Sequence, residues 1–383
     1  MMTNVLVFVG AYPPAFRAGG PIRAIEAMVA RASSNFAPYI VTSDRDLGEP
    51  LPATVRRNTW VSRGVAKVNY VNLRSAAAVV RCLKMARAAK PGFLYFNSLF
   101  DPRLTMLPIL LWRLGFWGPV TAVLAPRGEL ADQALRNRSP IKKIYLGIFR
   151  MLGLSRKVLW HSTSAQETTD ICTMFGDKTA IVLRHDDILL PDNPPPLDRC
   201  TSKELRIVFI GRLTAHKGLH LALQGLIRAG CDTVMDIFGP EENAAYVRQC
   251  RQLAESMPSN VHVQFRGVVV PDQVVDTLAQ YDVLLSPTAS ENFGYTIVEG
   301  LCASCIVVTT ASTPWTQILE DGAGIVLDER SADAVADAIR QLAGLTTEEL
   351  TQWRSRAREA YLTWLGNYHP EHLWNLVPLG DTR

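Results

Sequence analysis

Apolar positions along the chain fall into short continuous runs that alternate with stretches in which they recur every three or four residues. Residues 5–9 are apolar throughout, as a strand buried on both faces requires, and the Gly19-Gly20-Pro21 turn behind them opens a helical pattern lasting through Ala30. The same pattern predicts strands at 39–42, 67–72, 93–97, 120–125, 158–161 and 180–183, with helices at 75–89, 102–114, 140–152 and 165–175. Four prolines within 191–196 interrupt it. It then restarts, with strands predicted at 205–210, 233–238, 261–265, 283–286, 306–309 and 324–327 and helices at 218–229, 244–256, 271–280, 295–302, 332–342 and 347–364. This alternation predicts an α/β protein of two doubly wound Rossmann-like domains facing a cleft. The expected division is an N-terminal, acceptor-side domain at 1–190, a proline-rich linker at 191–200 and a second domain at 201–345. A C-terminal helical segment at 346–383 has the length to cross back to the first domain.

Composition narrows the picture. The 383 residues are 48% hydrophobic and 20% charged, enough for two domains. No apolar run approaches the ~18 residues of a membrane span. No basic residue precedes the short run at 5–9, so no secretory signal is expected. Seven cysteines without a regular framework fit a reducing compartment, and the expected location is cytoplasmic. Cys302 and Cys305 have redox or zinc spacing, but no further ligands lie nearby and the pair falls where a predicted helix ends; they are expected to be buried apolar side chains. The net charge of +4 conceals an asymmetry: residues 1–198 hold 25 Lys and Arg against 14 Asp and Glu, and residues 199–383 hold 15 against 22. The basic half suits an anionic partner.

Three clusters stand at strand-to-helix junctions, where open α/β sheets bind ligands. In the first, residues 10–20, the Gly19-Gly20 pair lets backbone N–H groups approach a phosphate, but the G-x-G-x-x-G dinucleotide pattern is absent. The second is Gly211-Arg212-Leu213-Thr214-Ala215-His216-Lys217-Gly218, in which the Arg fork and the Lys point charge can reach one diphosphate. The third runs from Ser290 to Gly300. Glu291 lies in its loop, and Glu299 lies about one turn into the following helix, so both carboxylates can serve one cleft. Acceptor-only groups beside a cationic loop suit a ligand with both hydroxyls and phosphates, a sugar nucleotide. The Asp44-Arg45-Asp46 triplet imitates a metal-binding D-x-D and is read instead as a solvated loop.

Taken together these loops resemble the family-4 retaining glycosyltransferases of the GT-B architecture, marked by two glutamates with seven residues between them. The resemblance runs over nearly the whole chain: the Pro13-Pro14 and Gly19-Gly20 loop, the loop from Arg212 to Gly218, Glu291 with Glu299, and Thr313-Pro314-Trp315. It implies that Arg212 and Lys217 neutralise the leaving diphosphate, joined by backbone at Gly19, Gly20 and Gly211. It implies that Glu299 accepts from the ribose, and that Glu291 with the backbone of Asn292, Phe293 and Gly294 holds the donor sugar. Thr296 would contact the diphosphate. Arg127, in a Pro126-Arg127-Gly128 turn where the family often has Pro-His-Gly, would meet a phosphate or sugar hydroxyl. The implied reaction moves a hexose from a nucleotide-diphosphate sugar to a glycan acceptor, lipid-linked, in cell-surface polysaccharide assembly. It requires no cofactor and no metal.

Between Arg136 and Lys157 seven cations stand unopposed, among them Arg138, Lys142, Lys143 and Arg150. Apolar residues at 141, 144, 145, 148, 149 and 152 follow helical spacing between them. That pattern fits a helix lying on an anionic membrane surface, which would place the protein peripherally on the inner face of the membrane, and it fits equally a core-facing helix with a solvated basic back. No nucleic-acid module accompanies the charge. The alternative to an enzyme is a catalytically impaired, membrane-associated partner subunit of GT-B type. Joint retention of Arg212, Lys217, Glu291 and Glu299 favours the enzyme.

Overall fold

The computed structural model describes residues 2–17, 19–131, 140–197, 204–368 and 370–378. It divides into two compact units, Met1–Leu189 with Pro370–Arg383, and Leu190–His369. The first contains an eight-stranded sheet in the order Ala180–Leu183, Leu159–Ser162, Thr121–Leu124, Phe93–Phe96, Thr3–Val9, Phe36–Ser43, Ala66–Val71, Val61–Arg63. All neighbours pair in parallel except the last two strands. The continuous apolar run of the first strand follows from this position: Leu6 and Phe8 enter one core and Val5, Val7 and Val9 the core on the opposite face.

The second unit holds six parallel strands in the order Val261–Gly267, Thr233–Phe238, Leu205–Ile210, Val283–Ser286, Ile306–Thr310, Gly324–Leu327. Two doubly wound α/β units of Rossmann type are thus present. The helix Thr347–Asn367 belongs to the second unit and starts with a capping box, in which Glu349 accepts from the Thr346 N–H at 2.8 Å and Thr346 Oγ1 accepts from the Glu349 N–H at 3.2 Å. Beyond it the chain enters the first unit, where Leu373, Trp374 and Val377 join a core, His372 Nε2 donates to Met28 O at 2.8 Å and Thr121 Oγ1 donates to Pro378 O at 2.7 Å.

Several local features depart from the sequence pattern. The helix expected at 102–114 opens with a π turn, Pro102–Met106, whose first N–H groups bond Asp101, before the α-helix Leu107–Arg113. The one expected at 271–280 splits into Pro271–Gln273 and Val274–Leu278. Strand Val61–Arg63 and the hairpin of Arg45–Asp46 with Glu49–Pro50 are too short to register as periodicity. The reading of Asp44-Arg45-Asp46 as a solvated loop is corrected. Asp46 is buried and accepts from the Phe16 N–H at 2.9 Å and the Arg17 N–H at 3.1 Å, while Asp44 faces Arg57 at 3.4 Å.

Cys302 and Cys305 are fully buried. Burial pushes their thiols up to about 11 and about 12, so both remain protonated apolar filler, and Cys305 points at Leu278 O from 3.1 Å. Among the described residues no His, Cys, Asp or Glu group is placed to hold a metal ion, and no helix is long and apolar enough to cross a membrane.

The long helix is fixed by charge. Arg354, 1% exposed, lies 3.2 Å from Asp282 Oδ1 and donates to Ser304 O at 3.1 Å, and Asp282 also receives Arg206 at 2.9 Å. Removing Arg354 takes one charge-assisted contact from the buried Asp282, which keeps Arg206, and also removes the donor to Ser304 O. Arg354→Leu is therefore expected to destabilise the second unit by about 3 kcal/mol, read as a lower urea midpoint at unchanged slope; an unchanged midpoint would show that the pair contributes nothing.

Candidate functional site

Strands Leu205–Ile210 and Val283–Ser286 are direct neighbours, with Ile207 opposite Val283, yet the chain builds outward from them in opposite directions. That reversal is the topological switch point of the sheet, where no crossover helix separates the loops leaving the two strands. The loops 211–218 and 287–294 lie side by side and are tied together. The Ala289 N–H donates to His216 O at 2.8 Å, and His216 Nε2 donates to Ser290 O at 3.0 Å. Arg330, which nothing in the sequence marked, donates to Pro287 O at 3.0 Å and Ala215 O at 2.7 Å. Gly218 closes the first loop at φ +80°, and a Cβ there would sit 2.2 Å from Pro287 O, so the approach of the two loops requires glycine.

This clamp sets Lys217 Nζ 2.5 Å from Glu291 Oε1, with the two side chains 21% and 16% exposed. Residues 74 positions apart thus form one half-buried ion pair. Arg212, 44% exposed, faces Glu242 at 3.3 Å, a weak surface pair that a ligand can replace. Burial lowers the His216 imidazole below its ordinary range, with the Lys217 charge acting in the same direction, so it is a neutral donor to Ser290 at neutral pH.

Asn292 is exposed and Phe293 buried, and Gly294 turns the chain at φ +81° into the helix Tyr295–Cys302. No side chain caps that helix, so its first turn, which includes Thr296, presents the positive end of the helix dipole. An aromatic stack holds the turn. The Trp315 indole donates to Phe293 O, Trp315 packs against Trp364 at 5.0 Å, and Trp364 against Tyr368 at 4.5 Å. Glu299, farther along the helix, is only 2% exposed.

The remaining expected residues lie in the first unit. Gly19, at φ +74°, precedes the helix Gly20–Ala30, whose start also lacks a side-chain cap. Arg127, at φ +54°, points its guanidinium into protein: Nε donates to Asn97 Oδ1 at 2.6 Å, Nη2 to the Tyr95 hydroxyl at 3.0 Å, and Nη1 to Asp186. Tyr95 OH in turn bonds His161 Nδ1 at 2.9 Å, and His161 Nε2 bonds Arg184 O at 2.8 Å. A carbonyl only accepts, so Nε2 carries the proton, Nδ1 accepts from Tyr95, and the chain of donors runs from Arg127 to the Arg184 carbonyl.

In the helix Pro140–Met151, Lys142 lies over the Phe100 ring at 4.7 Å, Lys143 is exposed, and Arg150 donates to Met174 O at 2.6 Å. Arg138 lies outside the described residues. The apolar stripe expected here divides between core and solvent. Tyr145 and Phe149 are buried, whereas Ile144, Ile148 and Met151 are 63%, 37% and 77% exposed. A stripe that wide spans more than one face, and the core takes only one edge of it.

Residues 199–360 match the family model "Glycosyl transferases group 1". A 144-residue stretch is 30% identical to D-inositol 3-phosphate glycosyltransferase of Corynebacterium urealyticum, covering 36% of this chain and 34% of that protein. Another stretch is 26% identical to the putative colanic acid biosynthesis glycosyltransferase WcaL of Escherichia coli K12, covering 44% and 43%. The matches span less than half the length of these curated relatives. Similarity of fold extends over the whole chain. Sucrose-phosphate synthase of Thermosynechococcus elongatus aligns with a TM-score of 0.69 at 15% identity over 98% of this chain and 99% of that one. Anabaena HepE, solved with UDP-glucose, aligns with a TM-score of 0.66 at 14% identity over 97% and 99%. The two Rossmann-like sheets are those of the GT-B fold.

His161 gives the first unit an acid sensitivity. Burial, then the Arg127 charge, lowers its pKa to about 3. Between that value and its unfolded pKa of about 6.5 the unfolded chain binds the extra proton. The stability contributed by the neutral ring is therefore complete above about pH 6.5 and is lost as the pH falls toward 3. Between pH 7 and pH 5 the protein is expected to lose roughly 2 kcal/mol more than His161→Gln, measured by chemical unfolding; parallel pH profiles would contradict it.

Proposed function

We propose that this chain is a retaining glycosyltransferase that moves a hexose from a nucleotide-diphosphate sugar to a lipid-linked glycan acceptor in polysaccharide assembly. The observation that carries the reading is the Lys217–Glu291 pair, set at the switch point beside the uncapped start of helix Tyr295–Cys302. The family-model match over 199–360 covers all of these residues, and the names of the matched relatives support the same activity.

The residues divide the work by chemistry. Lys217 has three N–H donors, so it can hold Glu291 and a diphosphate oxygen together. Arg212 exchanges its exposed Glu242 partner for a second phosphate oxygen in a bidentate fork. The helix start at Thr296 offers the positive end of the helix dipole to the same anion. Glu291 then accepts from hydroxyls of the donor sugar, and Glu299 accepts from the ribose. As the bond between the anomeric carbon and the phosphate oxygen breaks, charge grows on the diphosphate, where these fixed groups stabilise it without reorganising. The acceptor oxygen bonds the anomeric carbon on the same face, and its proton passes to the departing phosphate oxygen, so configuration is retained without a protein nucleophile. Within the first unit, Gly19 and Gly20 set the start of the helix Gly20–Ala30, where backbone N–H groups suit an anion, and Arg127 holds its own loop through Asn97, Asp186 and Tyr95.

The protein works at the inner face of the membrane. Support comes from the helix Pro140–Met151, where Ile144, Ile148 and Met151 are exposed at helical spacing beside Lys143 and Arg150.

Two outcomes are expected. Lys217→Ala should lower transfer by about 10²–10³-fold in a folded protein, and near-normal turnover would overturn the assignment. Ile144→Asn with Met151→Asn should weaken sedimentation with phosphatidylglycerol vesicles while slow sugar-nucleotide hydrolysis continues; undiminished vesicle binding would remove the membrane placement.

A further inference from the structure

Between Glu49 and Asp101 the chain carries nine Lys and Arg residues and no carboxylate. This stretch supplies the edge strands Val61–Arg63 and Ala66–Val71 of the first unit's sheet. It also walls an open groove of about 670 Å³, lined among others by Pro14, Arg56, Trp60, Ser62, Arg63 and Tyr70. Trp60, Val61 and Ser62 are shared with an adjoining pocket of about 490 Å³ that has Tyr39 and Lys67 on its other side. Both volumes lie in the range of small-molecule sites, ~300–1,000 Å³, and no carboxylate lines either.

The cations in this stretch have different situations. Arg57 is committed to the fold: it faces Asp44 at 3.4 Å and donates to Leu51 O at 2.6 Å. Lys67 donates to the Tyr39 hydroxyl at 3.3 Å. Arg56 and Arg63 are exposed, and their guanidinium groups have no hydrogen-bond or ion-pair partner among the described residues. Trp60 is held edge-on by Tyr39 at 5.2 Å, and the Tyr70 hydroxyl donates to Pro13 O, which fixes the loop after the first strand as part of the groove wall. Burial raises the Tyr70 phenol and the Arg63 charge opposes it, which places that charge within electrostatic reach of the groove wall.

Two unpaired guanidinium forks, a fixed indole and a serine hydroxyl form a complementary set. The forks match a carboxylate or phosphate in two-point geometry. The indole offers an apolar face to the C–H face of a pyranose ring, and Ser62 can exchange hydrogen bonds with ring hydroxyls. We propose that the groove around Trp60 binds an acceptor sugar bearing a carboxylate or phosphate, stacked on Trp60 with its anion on Arg56 and Arg63. The role as acceptor subsite rests on the glycosyltransferase reading; the binding itself does not.

The test titrates the full chain with trigalacturonate, with glucose 6-phosphate and with neutral maltotriose at low ionic strength, followed by tryptophan fluorescence and calorimetry. At least one anionic probe should bind about tenfold tighter than maltotriose, as a charge-assisted contact implies. The arm that binds identifies carboxylate or phosphate as the anion. The preference should vanish in the double variant Arg56→Gln/Arg63→Gln, whose exposed positions leave folding intact, and Trp60→Ala should weaken neutral and charged sugars alike. Equal affinity for maltotriose, or unchanged anion binding in the double variant, overturns the groove. The two readings fail separately. Nucleotide-sugar binding without either anionic probe overturns the groove alone, and probe binding without any nucleotide sugar overturns the transferase alone.

Discussion

The parallel pairing of Leu205–Ile210 with Val283–Ser286 is the constraint on which the candidate site depends. A parallel sheet must route each connection over one of its faces, so loops leaving adjacent strands are normally displaced by the helices that follow. Only where the order of winding reverses do two loops emerge together, and in the second unit that occurs at this pair. His216, Ala289 and Arg330 tie the two loops through backbone carbonyls, so their separation is set by the fold and not by a ligand.

Electrostatics then distinguishes two cationic centres. Lys217 and Glu291 are partly exposed, and the lysine retains donors after meeting its partner. Arg127 is enclosed, and Asn97, Tyr95 and Asp186 occupy all three nitrogens of its guanidinium. The first centre keeps part of its donor capacity open to solvent. The second builds a fixed wall in which burial first, and then the Arg127 charge, keeps His161 neutral.

Much of this was legible in the sequence because parallel strands and phosphate loops are local signals. The strand and helix positions near the site came from apolar runs and periodicity, and the Gly211-to-Gly218 and Ser290-to-Gly300 loops declared themselves by residue type. What holds them in place was hidden by distance along the chain. Arg330 reaches Ala215 across 115 residues, and Trp364 joins Trp315 from a helix with no motif. Asp46 misled because a carboxylate that holds the Phe16 and Arg17 amides reads the same as a solvated one. The stripe at 141–152 left two readings open because periodicity reports an apolar surface without saying which edge the core covers.

In the proposed reaction the switch-point loops hold the diphosphate of a nucleotide sugar. Thermal unfolding of the intact chain against a panel of nucleotide sugars, the matching nucleoside diphosphates and the free nucleosides tests it most directly, since a ligand that binds only the folded protein raises the melting temperature. One nucleotide sugar and its diphosphate are expected to raise it, and the nucleoside alone is expected not to. A nucleoside that stabilises as much as its diphosphate, or a panel without effect, would contradict it.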